Sequence, residues 1–174
     1  MPNPRLSYEE SCEKFKPDHI SETPPILDRM PSYDDEELGL SFFKTFVGDG
    51  DDFSNLTIPR TYFGRCEISD VSFQNTDLSQ SCLCWNDFVD VDFSRADLGG
   101  ADLRGSIFRE VKFNSANLED ADLRHSTFEN CNFNGANLSN AILSRSQKKS
   151  LSLTTQQKKA IDWRWRTGPV PDGG

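Results

Sequence analysis

The chain has few of the residues that enzymes use for catalysis. Among its 174 residues only His19 and His125 are histidines, and they lie far apart in sequence. No glycine-rich phosphate loop, metal-ligand spacing or serine–histidine–aspartate arrangement can be assigned. The abundant aspartates recur with a repeat described below, which indicates a structural position and not a paired acid and base. We therefore predict that the protein is not an enzyme and needs no cofactor or metal.

Long apolar segments are also missing. No run of about 18 apolar residues is present, which excludes a membrane-spanning helix. The first fifteen residues, MPNPRLSYEESCEKF, lack the apolar core of a signal peptide. Five cysteines without an export signal are typical of a reducing compartment. These absences predict a cytoplasmic protein that does not act at a membrane.

What the sequence does contain is an apolar residue at every fifth position. Read in fives from Asp51, it gives nineteen pentads through Arg145 without an insertion, and the third residue of each is Phe, Leu or Ile. The first residue is mostly small, and the second is often Asp or Asn. An α-helix repeats every 3.6 residues and a strand every two, so neither explains a period of five. The pattern indicates a solenoid.

A second period of twenty residues lies within the first. Phe recurs at 53, 73, 93, 113 and 133, and Leu recurs at 78, 98, 118 and 138. Four pentads therefore form one square coil, whose third residues point into the axis and whose neighbours pair like parallel strands about 4.7–4.9 Å apart. We expect Leu103 and Phe113 to be buried and Arg104 and Asn114 to be exposed. The predicted core comprises Phe73, Leu78, Leu83, Phe88, Phe93, Leu98, Leu103, Phe108, Phe113, Leu118, Leu123, Phe128, Phe133 and Leu138.

The pentads ADLGG and ADLRG at 96–105 and ANLED at 116–120 resemble the pentapeptide repeat family, whose motif is A(D/N)LXX. The resemblance covers residues 51–145. It implies an all-β solenoid, a right-handed quadrilateral β-helix of about five coils. It specifies function weakly, because one fold can carry many functions. Some family members imitate duplex DNA and occupy the DNA-binding saddle of DNA gyrase, which protects the enzyme from quinolones.

The ends of a solenoid need caps, because they expose apolar cross-sections and unpaired backbone. We predict an irregular or partly disordered arm over 1–31, a capping helix and turn over 32–50, the β-helix over 51–145, a C-terminal cap with a short helix over 146–166, and a flexible tail over 167–174. In the C-terminal cap, Thr154 and Gln157 form a capping-box pattern, and the helix is expected to run on through Trp163.

The cysteines divide into two pairs within the repeat. Cys66 and Cys131 occupy inward first positions and are predicted to be packing residues. Cys82 and Cys84 flank the inward Leu83 and are predicted to be exposed free thiols, with any redox role left open. We find no further ligands at a spacing that would complete a metal site with them.

One side of the coil combines aromatic and arginine residues, which are enriched at protein interfaces. This aromatic–arginine wall lies outside Phe63, Leu83, Leu103, Leu123 and Leu143. It displays Cys82 and Cys84 together with the candidate partner-binding residues Tyr62, Arg65, Trp85, Arg104, Arg124, His125 and Arg145. Two alternatives to a binding role are that Trp85 merely covers a corner of the coil, and that Asp102 and Asp122 neutralise the two arginines beside them.

The composition of the walls favours protein binding over nucleic-acid binding. Residues 51–145 carry 8 basic and 15 acidic side chains, so the rod repels nucleic acid. The leading hypothesis is a non-catalytic protein–protein interaction module, either a rigid scaffold or a neutralising partner of the immunity-protein type. The alternative is a DNA mimic that protects or inhibits a type II topoisomerase such as gyrase. Neither the protein partner nor the oligomeric state can be read from the sequence.

Overall fold

The structure, a computed structural model, describes residues 4–14, 41–48 and 50–165. Across these ranges the chain forms a β-solenoid of about six turns. None of the helices within these ranges could span a membrane. In chain order, the elements are α1 (Tyr8–Lys14), β1 (Ser41–Phe43), β2 (Phe46–Val47), β3 (Tyr62–Gly64), β4 (Glu67–Ser69), β5 (Asp87–Val89), β6 (Ile107–Arg109), β7 (Thr127–Glu129), β8 (Ile142–Ser144), a 3₁₀-helix (Arg145–Lys149), α2 (Thr155–Ala160) and β9 (Asp162–Arg164).

Each coil pairs in parallel with the next, at an offset of twenty residues. On one side, β2, β4, β5, β6 and β7 form a five-stranded sheet in which Phe88 lies opposite Phe108. The other sides pair through single bridges such as Asp97 with Asn117, except that β1–β3 and β8–β9 form two-stranded sheets at the two ends of one side. The backbone N–H of Leu98 donates to the carbonyl of Asn117 at 2.8 Å, which shows how adjacent coils bond. The predicted fold class is confirmed.

The axis of the solenoid is filled by the third residue of each pentad. Like side chains stack on like: the ring centroids of Phe73 and Phe93 are 5.0 Å apart, and those of Phe88 and Phe108 are 4.9 Å apart. Leu103 and Phe113 are fully buried. Of the fourteen predicted core residues, thirteen are buried and Phe128 is half-buried. Phe128 is less covered because the 3₁₀-helix replaces the next rung above it.

The corners of the square use left-handed backbone. The fifth residue of each pentad from Asn55 to Asn140 has a positive φ, between 52° and 70°.

Side chains on the outside of the coil are closely covered by their neighbours, because adjacent coils lie only about 5 Å apart. For this reason Asn114, which we expected to be exposed, is half-buried, and its Oδ1 atom is shielded from solvent.

Residues 41–47 are not part of a capping helix, so that part of the prediction is wrong. They form β1 and β2 and add two sides to the solenoid, with the Phe42 ring stacked on Phe63 at 4.5 Å and Val47 opposite Ile68. The pairing offset here is 21 residues, whereas it is 20 in the later coils. One extra residue before Phe53 shifts the pentad register and hides these sides in the sequence. Residues 32–40, the rest of that predicted helix, lie outside the described ranges.

The N-terminal arm predicted over 1–31 contains a helix that was missed. The helix α1 begins after Ser7, whose Oγ accepts from the N–H of Glu10, while the Glu10 carboxylate accepts from the N–H of Ser7. This S-x-x-E capping box is visible in the sequence. The arm is tied to the first full coil, because Ser11 Oγ accepts from the N–H of Thr57 and the Leu6 N–H donates to the carbonyl of Asn55. Residues 15–31 lie outside the described ranges.

The C-terminal cap differs from its prediction in where the helix ends. Thr154 and Gln157 form the expected capping box, but α2 stops at Ala160. The chain then returns to the solenoid as β9, which pairs with β8 and places Trp163 opposite Leu143. Pairing continues at an offset of twenty because residues 161–165, IDWRW, form one more pentad around Trp163.

Two glutamines complete the hydrogen bonding of the last coils. Inside the solenoid, a first-position side chain satisfies the carbonyl of an axial residue one coil below, as Ser126 Oγ does for Leu103 at 2.7 Å. At the C-terminal end, Gln147 Nε2 takes this role, donating to the carbonyls of Leu123 and Ser126 at 2.9 and 2.7 Å. Gln157 Nε2 donates likewise to Phe133 and Ala136.

We therefore expect Gln147→Ala to destabilise the protein by about 2–4 kcal/mol, because it removes two hydrogen bonds to buried carbonyls and the one that Gln147 accepts from the Ser144 N–H. The matched control is Gln156→Ala in α2, an exposed position whose substitution should change the free energy of unfolding by less than about 0.5 kcal/mol. Urea unfolding followed by circular dichroism measures both. Equal midpoints for the two variants would contradict a capping role for Gln147.

Candidate protein-binding wall

Coil stacking arranges the aromatic–arginine wall into columns of residues that are one coil apart. The structure also lengthens the wall, because β1 and β9 add a pentad at each end. The second-position column comprises Ser41, Tyr62, Cys82, Asp102, Asp122, Ile142 and Asp162. The fourth-position column comprises Phe43, Gly64, Cys84, Arg104, Arg124, Ser144 and Arg164. The fifth-position column comprises Lys44, Arg65, Trp85, Gly105, His125, Arg145 and Trp165.

The arginines of the fourth-position column are bound to aspartates of their own pentads. Arg104 Nε and Nη2 donate to the two carboxylate oxygens of Asp102 at 2.8 and 2.6 Å. Arg124 and Asp122 repeat this geometry one coil further on. Hydrogen bonding to Asp102 raises the pKa of Arg104. Arg104 is therefore half-buried and not exposed as expected, and the alternative that Asp102 and Asp122 neutralise these arginines is what the structure shows.

The fifth-position column carries the exposed aromatic surface of the wall. Trp85 is 37% exposed, and Trp165 is 68% exposed. The Arg145 guanidinium lies over the Trp165 ring, 4.5 Å from its centroid. Trp85 also covers part of the next coil, since a methyl group at Gly105 would lie 2.7 Å from its ring. Trp85 thus packs against a corner and still presents surface to solvent.

The remaining predicted partner-binding residues differ in exposure. Arg65 and Arg145 are exposed, whereas Arg124 and His125 are half-buried. Tyr62 is not displayed: it is 8% exposed and covers Gly64, where any side chain would collide with the Tyr62 hydroxyl. Burial raises the pKa of Tyr62 to about 12. Sequence reasoning placed Trp165 in the terminal cap and missed its place on this wall, which only the pairing of β9 with β8 reveals.

Three potential metal ligands meet on the wall. Cys82 Sγ and Cys84 Sγ are 3.5 Å apart, and an Asp102 carboxylate oxygen lies within 4.8 Å of both sulfurs. Both cysteines are half-buried, so the prediction that they are exposed thiols is corrected. The thiol–thiol hydrogen bond lowers the pKa of Cys82 and raises the pKa of Cys84. The third ligand was overlooked because it comes from the coil above, twenty residues after Cys82.

The charge of this wall is opposite in sign to that of the whole chain. Its pentads carry six cations, at positions 44, 65, 104, 124, 145 and 164, against three carboxylates, at 102, 122 and 162. On the other three sides of the repeat over 51–140, carboxylates outnumber cations. The net charge of the chain is −9. A positive stripe therefore runs along an acidic rod.

Comparison with known families identifies the repeat. The family model for pentapeptide repeats matches residues 87–124 and 116–147, with eight copies. Residues 87–147 are therefore pentapeptide repeats. No curated protein matches the sequence significantly.

Solved pentapeptide repeat structures resemble the chain in fold. A pentapeptide repeat protein from the thylakoid lumen of Arabidopsis thaliana is 27% identical, with a TM-score of 0.58 over 74% of this chain and 83% of that one. HetL from Nostoc, involved in the regulation of heterocyst differentiation, is 28% identical at a TM-score of 0.49, over 62% of this chain and 43% of HetL. QnrB1, a plasmid-mediated fluoroquinolone resistance protein, is 19% identical at a TM-score of 0.42, over 62% of each chain.

The packing of Trp85 on Gly105 can be tested with two glycines of the same backbone conformation. Gly105→Ala and Gly100→Ala both place a side chain at a φ near +66°, which costs about 1–2 kcal/mol. Only Gly105→Ala also pushes a methyl group into the Trp85 ring, so we expect a larger loss of stability and more solvent exposure of that ring. Acrylamide quenching and urea unfolding measure the two effects. Identical quenching in both variants would show that Trp85 does not rest on Gly105.

Proposed function

We propose that the protein is a non-catalytic binding module that holds a partner protein against its aromatic–arginine wall. The observation that carries this proposal is the coincidence on one face of two exposed tryptophans, Trp85 and Trp165, with an excess of positive charge in an otherwise acidic rod. Tryptophan and arginine are the residues that most often dominate binding energy at protein interfaces. A rigid scaffold and a neutralising partner of the immunity type both require such a face.

The structure of the wall suits binding without rearrangement. Backbone bonds to the coils on both sides hold each rung, as when the Leu103 N–H donates to Asp122 and the Cys82 N–H donates to Thr61. The bidentate Arg104–Asp102 pair fixes a side chain that would otherwise lose rotamer freedom on binding. A preorganised face keeps more of its contact energy as affinity.

The cations on the wall divide into two groups, and this division indicates the chemistry of the partner. Arg104, Arg124 and Arg164 each follow an aspartate by two residues and are bound to it. Lys44, Arg65 and Arg145 belong to pentads without any carboxylate. These three, all in the fifth-position column beside the tryptophans, supply the excess positive charge. We therefore propose an acidic surface on the partner protein.

The proposal predicts that a photo-crosslinking amino acid placed at Trp85 captures a defined partner from the native host. Trp85→Ala and Arg65→Ala should each weaken binding of that partner at least tenfold, because truncating an interface anchor costs about 2 kcal/mol. Affinity should also fall as salt is raised, as expected for opposite charges. Quantitative pull-down with the purified partner measures these changes.

The matched control places the crosslinker at Asp90, the fifth residue of the pentad NDFVD (86–90) on the next side of the coil. It uses the same backbone position on a different face, and Asp90→Ala should leave the affinity unchanged. All variants must first unfold at the same temperature as the wild type. Capture through Asp90 and not through Trp85, or unchanged binding by both wall variants, would contradict the proposal.

A second candidate function is topoisomerase protection by imitation of DNA. The observation that favours it is the neighbouring wall, which displays Glu67, Asp70, Asp87, Asp90, Glu110 and Glu129 against the single cation Arg109. We rank it second because the two exposed tryptophans and the excess of positive charge lie on a different face. The likeness to QnrB1 does not enter this ranking.

On this ranking, the purified protein should not restore supercoiling by DNA gyrase in the presence of a quinolone. A gel assay at micromolar protein measures the supercoiled fraction, and a known gyrase protector serves as the positive control. If the protein restores supercoiling and Asp90→Lys/Glu110→Lys abolishes the effect, the order of the two functions is reversed.

A further inference from the structure

The cluster of Cys82, Cys84 and Asp102 is not explained by packing or by partner binding. Second and fourth positions of a pentad need no cysteine, and one coil later the corresponding residues are Asp102 and Arg104. The two thiols nevertheless meet at 3.5 Å, and an Asp102 carboxylate oxygen lies within 4.8 Å of both. All three side chains are half-buried on the outer face, so solvent reaches them.

We propose that Cys82, Cys84 and Asp102 bind a thiophilic divalent metal ion of the zinc type. With Zn–S bonds of about 2.3 Å, two thiolates at a tetrahedral zinc lie about 3.8 Å apart, close to the observed 3.5 Å. The Asp102 carboxylate oxygen, within 4.8 Å of both sulfurs, supplies a third ligand. The fourth position stays open to water or to a group from another molecule.

The charged groups around the cluster suit a divalent cation. Two thiolates and a carboxylate carry three negative charges, which a divalent ion and the adjacent Arg104 guanidinium balance. Arg104 holds the Asp102 carboxylate through two hydrogen bonds, as groups behind metal ligands commonly do. Metal binding would release the thiol protons. One coil below the cluster, the buried Tyr62 side chain covers Gly64.

A disulfide between the same two cysteines fits the geometry less well. Residues two apart in extended backbone are separated by about 6.4–6.8 Å at Cα, the upper limit of what a disulfide spans. Bonding would also require the sulfurs to close from 3.5 Å to about 2.05 Å. A metal ion needs almost no change in the separation of the sulfurs. The contact therefore favours a metal, and oxidation becomes an outcome to be measured.

The test is a titration of the reduced, full-length protein with Cd²⁺, followed by its sulfur-to-metal charge-transfer absorption, with Zn²⁺ as competitor. We expect one equivalent to bind, Zn²⁺ to displace it, and Zn²⁺ to raise the melting temperature. Cys82→Ser and Cys84→Ser should each lower the affinity at least tenfold. Asp102→Asn should weaken binding and retain the absorption band, because both sulfurs remain.

The matched control is Cys131→Ser. Cys131 is a half-buried thiol on another side of the coil, and serine already occupies the equivalent first position at Ser81, Ser106 and Ser126. This variant should bind Cd²⁺ like the wild type. The proposal is overturned if the reduced wild type shows no charge-transfer band, or if the Cys82→Ser/Cys84→Ser variant retains it. It is also overturned if the pair only oxidises, becoming two hydrogens lighter by mass spectrometry without ever binding metal.

Discussion

The hydrogen bonds between coils constrain every other feature of this protein. Because the backbone of one coil pairs with the next at a fixed offset of twenty residues, side chains twenty positions apart are held about 5 Å from each other. Inside the axis this spacing stacks Phe on Phe. On the outer face it stacks charge on charge and thiol on carboxylate. Each residue is therefore one member of a column, and a substitution alters the contacts of the residues one coil above and one coil below it.

The same constraint makes the ends of the solenoid its most demanding parts. An internal carbonyl is satisfied by a side chain of the following coil, but the last coil has no successor. Gln147 and Gln157 supply the missing donors from the terminal segment. At the other end, Ser11 of α1 and Leu6 just before it bond to the first full coil. Capping is thus achieved with hydrogen bonds as well as with apolar cover from residues such as Ile161.

The outer faces are free to vary because the axis supplies the stability. One face of this rod combines aromatic surface, positive charge and a pair of thiols, while its neighbour is acidic. The binding proposal and the metal proposal use different columns of the same wall: the fifth-position column carries the tryptophans, and the second- and fourth-position columns carry the cysteines and Asp102. Each can be disproved without affecting the other.

The five- and twenty-residue periods were enough to predict the solenoid, because they equal the number of residues in one side and in one coil. They also identified the residues that fill the axis, of which Phe128 is less covered than expected. Other features depend on contacts that a sequence period does not describe. A one-residue insertion hid the two sides formed around Phe42 and Val47. The segment 146–160, which contains α2, separates Trp163 and Trp165 from the repeat that they rejoin. The partners of individual side chains could not be predicted either, because they depend on distances of a few ångströms. Arg104 could have pointed to solvent, but it binds Asp102. Cys82 meets both Cys84 and, from the next coil, Asp102.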